Sequence, residues 1–284
     1  MSIVISGATG QLGRLVVAAL LDRGVAAEQV VAGARDETRL ADLAARGVRV
    51  VRFDYDDPAS LSAALAEGDT LLLVSGSEIG RRVAQHESVI AAARAAGVAR
   101  LAYTSALGAG ETGLVVAPDH VATEQAVRAG GIPFTVLRNG WYTENYATAL
   151  VQARATGVVL SSAGDGRVAS AARADYAAAI AAALTGTGHE DAVYELSGDH
   201  AWNFDELADA FATVLGRDVV YRRVSPEEHL GLLTEAGLDA GTAGFLVALD
   251  GNIRDGALAL TTGDLSRLAG RPTTPLVDAL RPLA

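Results

Sequence analysis

The sequence predicts an α/β fold: a Rossmann-type doubly wound parallel sheet with a smaller C-terminal α/β lobe. Short apolar runs of strand length alternate with longer runs of helix length through the first half of the chain. The first apolar run, residues 3–5, leads into three glycines spaced three apart and then into an amphipathic run. Strand, glycine turn and helix in this order are typical of a dinucleotide site. We therefore predict a Rossmann dinucleotide-binding domain at residues 1–140 and a substrate lobe, with elements that return to the sheet, at residues 141–284.

The composition excludes several functional classes. Half of the 284 residues are hydrophobic, so the chain can bury a large core. The net charge of −11, without any basic run, argues against a nucleic-acid partner and against an anionic membrane surface. The chain has no cysteine, which excludes disulfides, thiol catalysis and cysteine-based metal sites, and we predict no metal site. Met1 leads directly into a strand without a signal-like segment, which predicts a cytoplasmic protein.

Each glycine of the first turn has its own task. Gly7 can take the backbone angles of a tight turn, Gly10 lets the main chain approach a pyrophosphate, and Gly13 lets the helix pack closely on the strand. The helix, expected from about residue 14 to residue 23, would direct its free N–H groups and its dipole at the phosphates. The predicted cofactor contacts in this turn are Gly7, Thr9, Gly10, Gln11, Leu12 and Gly13.

The second strand, residues 29–35, ends in a basic residue. An NAD site usually has an acidic residue here for the ribose 2′-hydroxyl, whereas a 2′-phosphate needs a cation. Arg35 therefore indicates NADPH, with Arg39 close enough to add positive charge. The alternative is a solvated arginine at a strand end, and the acidic residues 36 and 37 count against a phosphate site.

The third and fourth strands end in further candidate contacts. After a helix at residues 37–45 and a strand at residues 48–53, Asp54 can accept from the adenine amino group, while Asp57 and Pro58 begin a helix. The strand at residues 70–74 ends in Ser75, Gly76 and Ser77, small residues that let a cofactor pass over the sheet. On the next helix, residues 81–96, the lone histidine at position 86 is interpreted as a packing or surface residue.

The fifth strand, residues 100–104, brings Ser105 to the same edge, and a helix opening at residue 119 leads to a sixth strand at residues 133–138. Aromatic and amide side chains concentrate directly after that strand, in residues 139–146. Such a cluster serves either as core packing or as a wall that faces the substrate. The candidate contacts in it are Asn139, Gly140, Trp141 and Tyr142.

The C-terminal half alternates strands and helices less regularly. A turn at residues 162–166 precedes a helix from Arg173 to about residue 184. A strand from residue 193, a helix at residues 203–215, a strand at residues 219–223 and a helix that begins at Ser225 follow. Residues 251–256, rich in glycine, predict a flexible loop.

Several segments together carry a family resemblance over almost the whole chain. They are residues 6–13, 102–105, 137–146, 163–170 and 193–202. With them the chain resembles the atypical short-chain dehydrogenase/reductase family, in its NmrA-like branch, and within that branch the bacterial NADPH:quinone oxidoreductase 2 group. The resemblance implies NADPH held by the glycine turn, Arg35, residues 75–77, residues 139–142 and Arg173.

The chain departs from ordinary members of this superfamily at the proton donor. Those members carry a Tyr-x-x-x-Lys pair, in which lysine lowers the pKa of the tyrosine from about 10. Counted back from Glu124, the family's helix glutamate, His120 stands at the lysine position and Val116 at the tyrosine position. All 23 basic residues of the chain are arginine, so no lysine can take the role. The usual acid is therefore missing.

A missing acid favours acceptors that need none. Hydride addition to a ketone makes a strongly basic alkoxide, whereas addition to a quinone makes a weakly basic hydroquinone anion that water can protonate. The sequence therefore predicts NADPH-dependent hydride transfer to a small-molecule quinone. His120, as a proton donor or a structural residue, and Tyr142, as a stacking ring or phenol donor, are the catalytic candidates.

Two alternatives remain beside quinone reduction. Reduction of a triphenylmethane dye or an azo compound also needs no tyrosine acid. A regulator that binds NADP(H), changes shape and has no turnover is the alternative from a different class, and proteins of the NmrA-like branch are known for it. We expect a monomer or a homodimer.

Overall fold

The computed structural model describes residues 1–78 and 80–284 and confirms the predicted α/β fold. A central sheet of seven parallel strands has the order β3-β2-β1-β4-β5-β6-β8, in which the crossover from β3 back through β1 to β4 makes it doubly wound. A second, two-stranded parallel sheet pairs β7 with β9. The strands are β1 Ile3–Ile5, β2 Val30–Ala34, β3 Arg49–Arg52, β4 Thr70–Leu73, β5 Arg100–Ala106, β6 Phe134–Asn139, β7 Val158–Ser161, β8 Ala192–Leu196 and β9 Val220–Arg223.

Helices connect the strands and flank the sheet. They are α1 Gln11–Asp22, α2 Ala41–Ala45, α3 Pro58–Ala64, α4 Arg82–Ala96, α5 Ala117–Ala129, α6 Ala147–Thr156, α7 Arg173–Thr185, α8 Phe204–Leu215, α9 Pro226–Glu235, α10 Ala240–Arg254, α11 Asp264–Ala269 and α12 Leu276–Leu280. Short 3₁₀ turns occur at Ala27–Gln29, Glu37–Leu40, Thr143–Tyr146 and Arg281–Leu283. No helix of the described ranges is both long and apolar enough to span a bilayer.

Local chemistry sets several helix boundaries as the sequence predicts. The Asp57 side chain accepts from the N–H groups of Ala59 and Ser60 at the start of α3, with Pro58 as its first residue. Gly97 ends α4 with a φ of 71°, a left-handed conformation that glycine adopts without strain. The Ser225 side chain caps α9 by accepting from the Glu228 N–H.

In the part of the chain that the structure describes, buried apolar side chains form three clusters that hold the layers together. On one face of the sheet α1 packs against α7, and on the other face α3, α4 and α5 cover the strands. A third cluster lies in the lobe, where α6, α8, α10 and α12 surround the small sheet. Because β8 pairs with β6, the chain leaves the large sheet after β6, builds part of the lobe and returns. The carboxyl edge of the large sheet therefore lies against lobe residues.

Three predicted elements need correction. The first helix begins at Gln11, three residues before the predicted start. The predicted helix at residues 37–45 is a 3₁₀ turn followed by the short α2. The loop predicted at residues 251–256 is wrong for its first four residues, which complete α10. That helix is capped by Asp239, which accepts from two N–H groups, and it buries Ile253, so its tertiary contacts outweigh the glycine content.

Candidate active site

One cleft of about 570 Å³ runs along the carboxyl edge of the large sheet and meets the lobe. Parallel strands deliver the residues that follow them to the same edge, so turns distant in sequence converge here. All predicted site residues line this cleft. They are Gly7, Thr9, Gly10, Gln11, Leu12, Gly13, Arg35, Asp54, Ser75, Gly76, Ser77, Ser105, His120, Asn139, Gly140, Trp141, Tyr142 and Arg173.

The glycine turn forms one end of the cleft. Gly7 has a φ of +59°, and its carbonyl accepts from the Gly10 N–H at 2.9 Å. A Cβ added to Gly13 would lie 2.4 Å from the Gly7 carbonyl oxygen, so only glycine lets α1 approach the turn this closely. No side chain of the described residues caps the start of α1. Its first N–H groups are therefore left for a ligand.

A group of linked hydrogen bonds beneath the glycine turn fixes the ends of β1, β3 and β4. The Tyr55 hydroxyl donates to the Val74 carbonyl at 2.7 Å, and the Val74 N–H donates to Ser6 Oγ at 2.9 Å. The Ser6 hydroxyl must then donate to Tyr55 Oη, 2.5 Å away. Burial raises the pKa of Tyr55, so the phenol keeps its proton and these hydrogen bonds persist at neutral pH.

Arg35 lies at the outer end of the cleft. Its side chain is 70% exposed, and its NH1 lies 3.1 Å from Glu78 Oε1. Such an exposed ion pair is weak, so the guanidinium can exchange this partner for a phosphate. Arg39 is not among the described residues that line the cleft. Asp54 lines it, and its N–H donates to Ser60 Oγ at 3.0 Å, which holds the turn after β3.

His86 supports the turn that follows β4 through a buried hydrogen bond. It is buried, and its Nε2 accepts from the Gly76 N–H at 3.0 Å. Nδ1 must therefore carry the proton and donate to Thr123 Oγ1, 2.9 Å away. Burial, aided by the charge of Arg82, lowers the pKa of His86 to about 3. The ring stays neutral at pH 7 and positions Gly76.

His120 lines the inner end of the cleft. Its Nε2 lies 3.4 Å from NH1 of Arg82, which can only donate, so Nε2 accepts and Nδ1 donates to Tyr103 Oη at 2.8 Å. Burial, followed by the charge of Arg82, lowers the pKa of His120 to about 4. Both ring nitrogens are thus engaged, and the imidazole is neutral at pH 7.

The aromatic segment after β6 divides between two environments. Tyr146 is buried in the lobe, with its ring centroid 5.0 Å from that of Trp202, whereas Trp141 and Tyr142 line the cleft. Tyr142 Oη accepts from Asn139 Nδ2 at 3.1 Å, and the Arg173 guanidinium lies 4.7 Å from its ring centroid. The segment therefore contains a core-packing residue, Tyr146, and two cleft-lining residues, and a substrate-facing role of the latter stays a prediction.

An ion-pair network fixes the ends of β5 and β6. Arg138 bonds Glu124 Oε2 at 2.8 Å and Glu195 Oε1 at 2.7 Å, and the Ser105 hydroxyl donates to Glu124 Oε1 at 2.6 Å. Burial alone would raise the pKa of Glu124, but the hydrogen bonds from Arg138 and Ser105 outweigh it and lower the pKa. Ser105 is therefore tied into the scaffold while it borders the cleft.

Several cleft residues were not predicted. Leu114 and Leu258 form apolar wall, and Arg82 and Gln85 reach the cleft from the first turn of α4. Tyr55 also lines the cleft, and its place could have been predicted, since it follows β3 beside Asp54. Nothing in the sequence marks the others, because their place depends on how loops and helices pack.

The cleft fits a dinucleotide on three counts. The glycine turn has no room for a side chain at Gly13, and the start of α1 lacks a side-chain cap among the described residues. Asn139 Oδ1 is buried at the cleft and has no hydrogen-bond partner within residues 1–78 and 80–284, so it can accept from a bound ligand. Within those same residues, no group of three or more acidic or histidine side chains could hold a metal ion.

The chain is similar to nucleotide-binding proteins along nearly its whole length. A family model described as NAD(P)H-binding matches residues 7–187. Quinone oxidoreductase 2 of Escherichia coli (strain K12) is 44% identical over 278 residues, which cover 98% of this chain and 97% of that protein.

Two solved structures share the fold over the full chain. The NADPH-dependent quinone oxidoreductase from Escherichia coli, complexed with NADPH, has a TM-score of 0.94 at 44% identity, with 99% of each chain covered. The Citrobacter sp. triphenylmethane reductase, complexed with NADP(H), has a TM-score of 0.94 at 38% identity, with 100% of each chain covered. Both likenesses include the sheet edge and the lobe that together form the cleft.

Proposed function

The chain belongs to the NAD(P)H-binding family, as the resemblance predicted, and from that premise we propose that it is an NADPH-dependent quinone oxidoreductase. The observation that carries the proposal is the inner end of the cleft. There a neutral His120 lines the cleft with Val116, and these are the positions that the resemblance aligns with the acid pair of ordinary short-chain reductases. The 44% identity to quinone oxidoreductase 2 over 98% of the chain supports the same acceptor class.

We assign the cofactor contacts by the chemistry of each part of the cleft. The glycine turn and the start of α1 take the pyrophosphate, Arg35 takes the 2′-phosphate, and Asp54 takes the adenine amino group. Residues 75–77, Ser105, residues 139–142 and Arg173 hold the nicotinamide half. When bound, NADPH supplies a hydride, which is one hydrogen with two electrons.

The side chains at the inner end explain why a quinone suits this site. His120 is neutral, with its Nδ1 proton committed to Tyr103, so it has no acidic proton to give at pH 7. Burial raises the pKa of Tyr142, the opposite of what lysine does in ordinary members of the superfamily. Tyr142 therefore serves as a ring wall and hydrogen-bond donor to the acceptor, and water protonates the weakly basic hydroquinone anion.

Reduction of triphenylmethane dyes is the second candidate. It is favoured by the 38% identity and full coverage shared with the Citrobacter reductase. A dye cation that takes up a hydride becomes neutral, so this reaction also needs no acid. Both reactions use the same cofactor and the same cleft, and they differ in the charge of the acceptor. A quinone changes from neutral to anionic, whereas a dye changes from cationic to neutral.

The proposal is tested by comparing the rate at which NADPH absorbance decreases with and without 1,4-benzoquinone. We expect oxidation that depends on the quinone, with one hydroquinone formed for each NADPH. Tight NADPH binding without oxidation by benzoquinone or by a dye would overturn the proposal and favour a nucleotide-sensing regulator.

We further propose how the protein is organised in the cell. Residues 1–140 would form the NADP-binding domain and residues 141–284 the substrate lobe, in a cytoplasmic protein that acts as a monomer or homodimer without a nucleic-acid or membrane partner. The net charge of −11 supports the last point, since like charges repel. Sedimentation equilibrium measures the oligomeric state.

A further inference from the structure

A buried arginine at the inner end of the cleft has donors that the protein does not use. Arg82, in the first turn of α4, lines the cleft, and its side chain is 9% exposed. Its Nε has no hydrogen-bond partner among residues 1–78 and 80–284, and its NH1 makes only the 3.4 Å bond to His120. Because a guanidinium carries five N–H donors, most of them lack a partner among the described residues.

The charge of Arg82 is also poorly balanced. Within the described chain, the carboxylate at ion-pair distance is that of Asp119, 4.0 Å away and itself 26% exposed. Arg138, by contrast, has two carboxylates at 2.8 and 2.7 Å. A buried cation without a close counter-ion is costly, so an arginine kept in this state at a cleft marks a candidate ligand site.

The position of Arg82 places this charge at the acceptor end. It adjoins His120, and together with Leu114 and Val116 these residues border the part of the cleft where the family's acid pair would stand. The glycine turn and Arg35 already provide for the phosphates. Under the proposed function, this is the end of the cleft that receives the acceptor.

We propose that Arg82 is a catalytic residue that stabilises the negative charge formed on the acceptor oxygen. The inference rests on the proposed quinone reductase function. The quinone takes up a hydride from NADPH, which leaves as NADP⁺, and becomes a hydroquinone monoanion; a solvent proton then completes the hydroquinone. Arg82 gives up no proton, since guanidinium stays charged in proteins. It supplies electrostatic stabilisation in place of the missing acid.

The two acceptor classes separate this role from a structural one. A quinone gains negative charge in the reaction, so a nearby cation lowers its barrier. A triphenylmethane dye cation loses its charge and is repelled by a cation while it binds. Loss of Arg82 should therefore lower kcat/KM for a quinone and should not lower kcat/KM for a dye cation.

The main test compares Arg82→Gln with Arg94→Gln, the same change at an exposed position of α4. We expect Arg82→Gln to lower kcat/KM for benzoquinone about a hundredfold and to leave or raise that for a dye cation, with the NADPH Kd within about twofold of wild type. Arg94→Gln should change none of these. An equal loss with both acceptors, or no loss with benzoquinone, would overturn the inference.

Binding of 4-nitrophenolate to the NADP⁺ complex, measured by calorimetry, tests the anion site without turnover. Arg82→Gln should weaken this binding about tenfold, and Asp119→Asn, which leaves Arg82 without its carboxylate, should tighten it about threefold. Unchanged phenolate binding in both variants would refute the role of Arg82. If wild type reduced no quinone while these shifts occurred, the anion site would stand and the proposed function would fail. The Asp119 variant, at a partly exposed position, keeps the test decisive if Arg82→Gln does not fold.

Discussion

At the scale of single residues, cofactor choice depends on Arg35. Its guanidinium borders the cleft and forms an exposed ion pair with Glu78. A 2′-phosphate offers a stronger partner, because arginine binds phosphate through charge-assisted hydrogen bonds. We expect Arg35→Ala to raise the Kd for NADPH about tenfold and to leave that for NADH unchanged. Fluorescence titration with each nucleotide measures both constants.

Arg49→Ala is the matched control for this prediction. Arg49 lies at the amino end of β3, with NH2 3.5 Å from Ser2 Oγ, on the edge of the sheet opposite the cleft. It should leave both nucleotide affinities unchanged. Equal weakening of NADPH and NADH in Arg35→Ala would show that the residue acts on the fold of the site and not on the 2′-phosphate.

The residues that sequence reasoning placed at the cleft share one property. Gly7, Arg35, Asp54 and Ser75 each closely follow a strand, and the parallel sheet alone brings such positions to one edge. Arg82 could not be placed in this way. It follows β4 by nine positions, and its approach to His120 depends on the packing of α4 against α5. Side chains placed by tertiary packing leave no mark in a single sequence.

At the scale of elements, the start of α1 depends on close approach to the glycine turn. In Gly13→Ala the new Cβ would lie 2.4 Å from the Gly7 oxygen and 2.9 Å from the Ala8 Cα, both backbone atoms that cannot turn aside. We expect a loss of roughly 1–3 kcal/mol in the free energy of unfolding, together with weaker NADPH binding. Urea unfolding and nucleotide titration measure the two effects.

Gly244→Ala provides the opposite expectation for the same substitution. Gly244 lies inside α10 and is exposed. Beyond its chain neighbours and the backbone of its own helix, an added methyl group would meet no heavy atom of the described residues within 4 Å. Alanine should therefore stabilise the protein by about 0.5–1 kcal/mol through helix propensity. A stabilising Gly13→Ala would mean that the turn yields easily and that close packing is not required there.

The boundaries of α10 show why some elements were missed. Gly251 and Gly256 favour a loop by composition, yet Asn252 between them donates to the Gly113 carbonyl at 3.0 Å and accepts from the Val115 N–H at 3.0 Å. These bonds tie the helix to the loop after β5, whose Leu114 lines the cleft. Long-range contacts of this kind outweigh local preference and cannot be read from the segment itself.

At the scale of the whole molecule, two buried neutral histidines link stability to pH. The pKa is lowered from 6.5 to about 3 in His86 and to about 4 in His120, first by burial and then by Arg82. The unfolded chain therefore binds protons below pH 6.5 that the folded protein does not. The contribution of these neutral histidines to the free energy of unfolding is fully present above that pH and is lost as the pH drops toward 4. For His86 the loss between pH 7 and pH 5 is up to about 2 kcal/mol.

His86→Gln tests this linkage, with His200→Gln as the control. The variant loses the bonds of His86 to Gly76 and Thr123, so it should be less stable than wild type at pH 7, but it should lose less stability than wild type on moving to pH 5. His200, whose side chain is 70% exposed, should leave the wild-type pH dependence nearly intact when replaced. Urea unfolding of the three proteins at both pH values gives the comparison. If His86→Gln lost as much stability as wild type over this range, the buried imidazole would not be the group that takes up the proton, and the pH dependence would have to come from His120 or from the carboxylates.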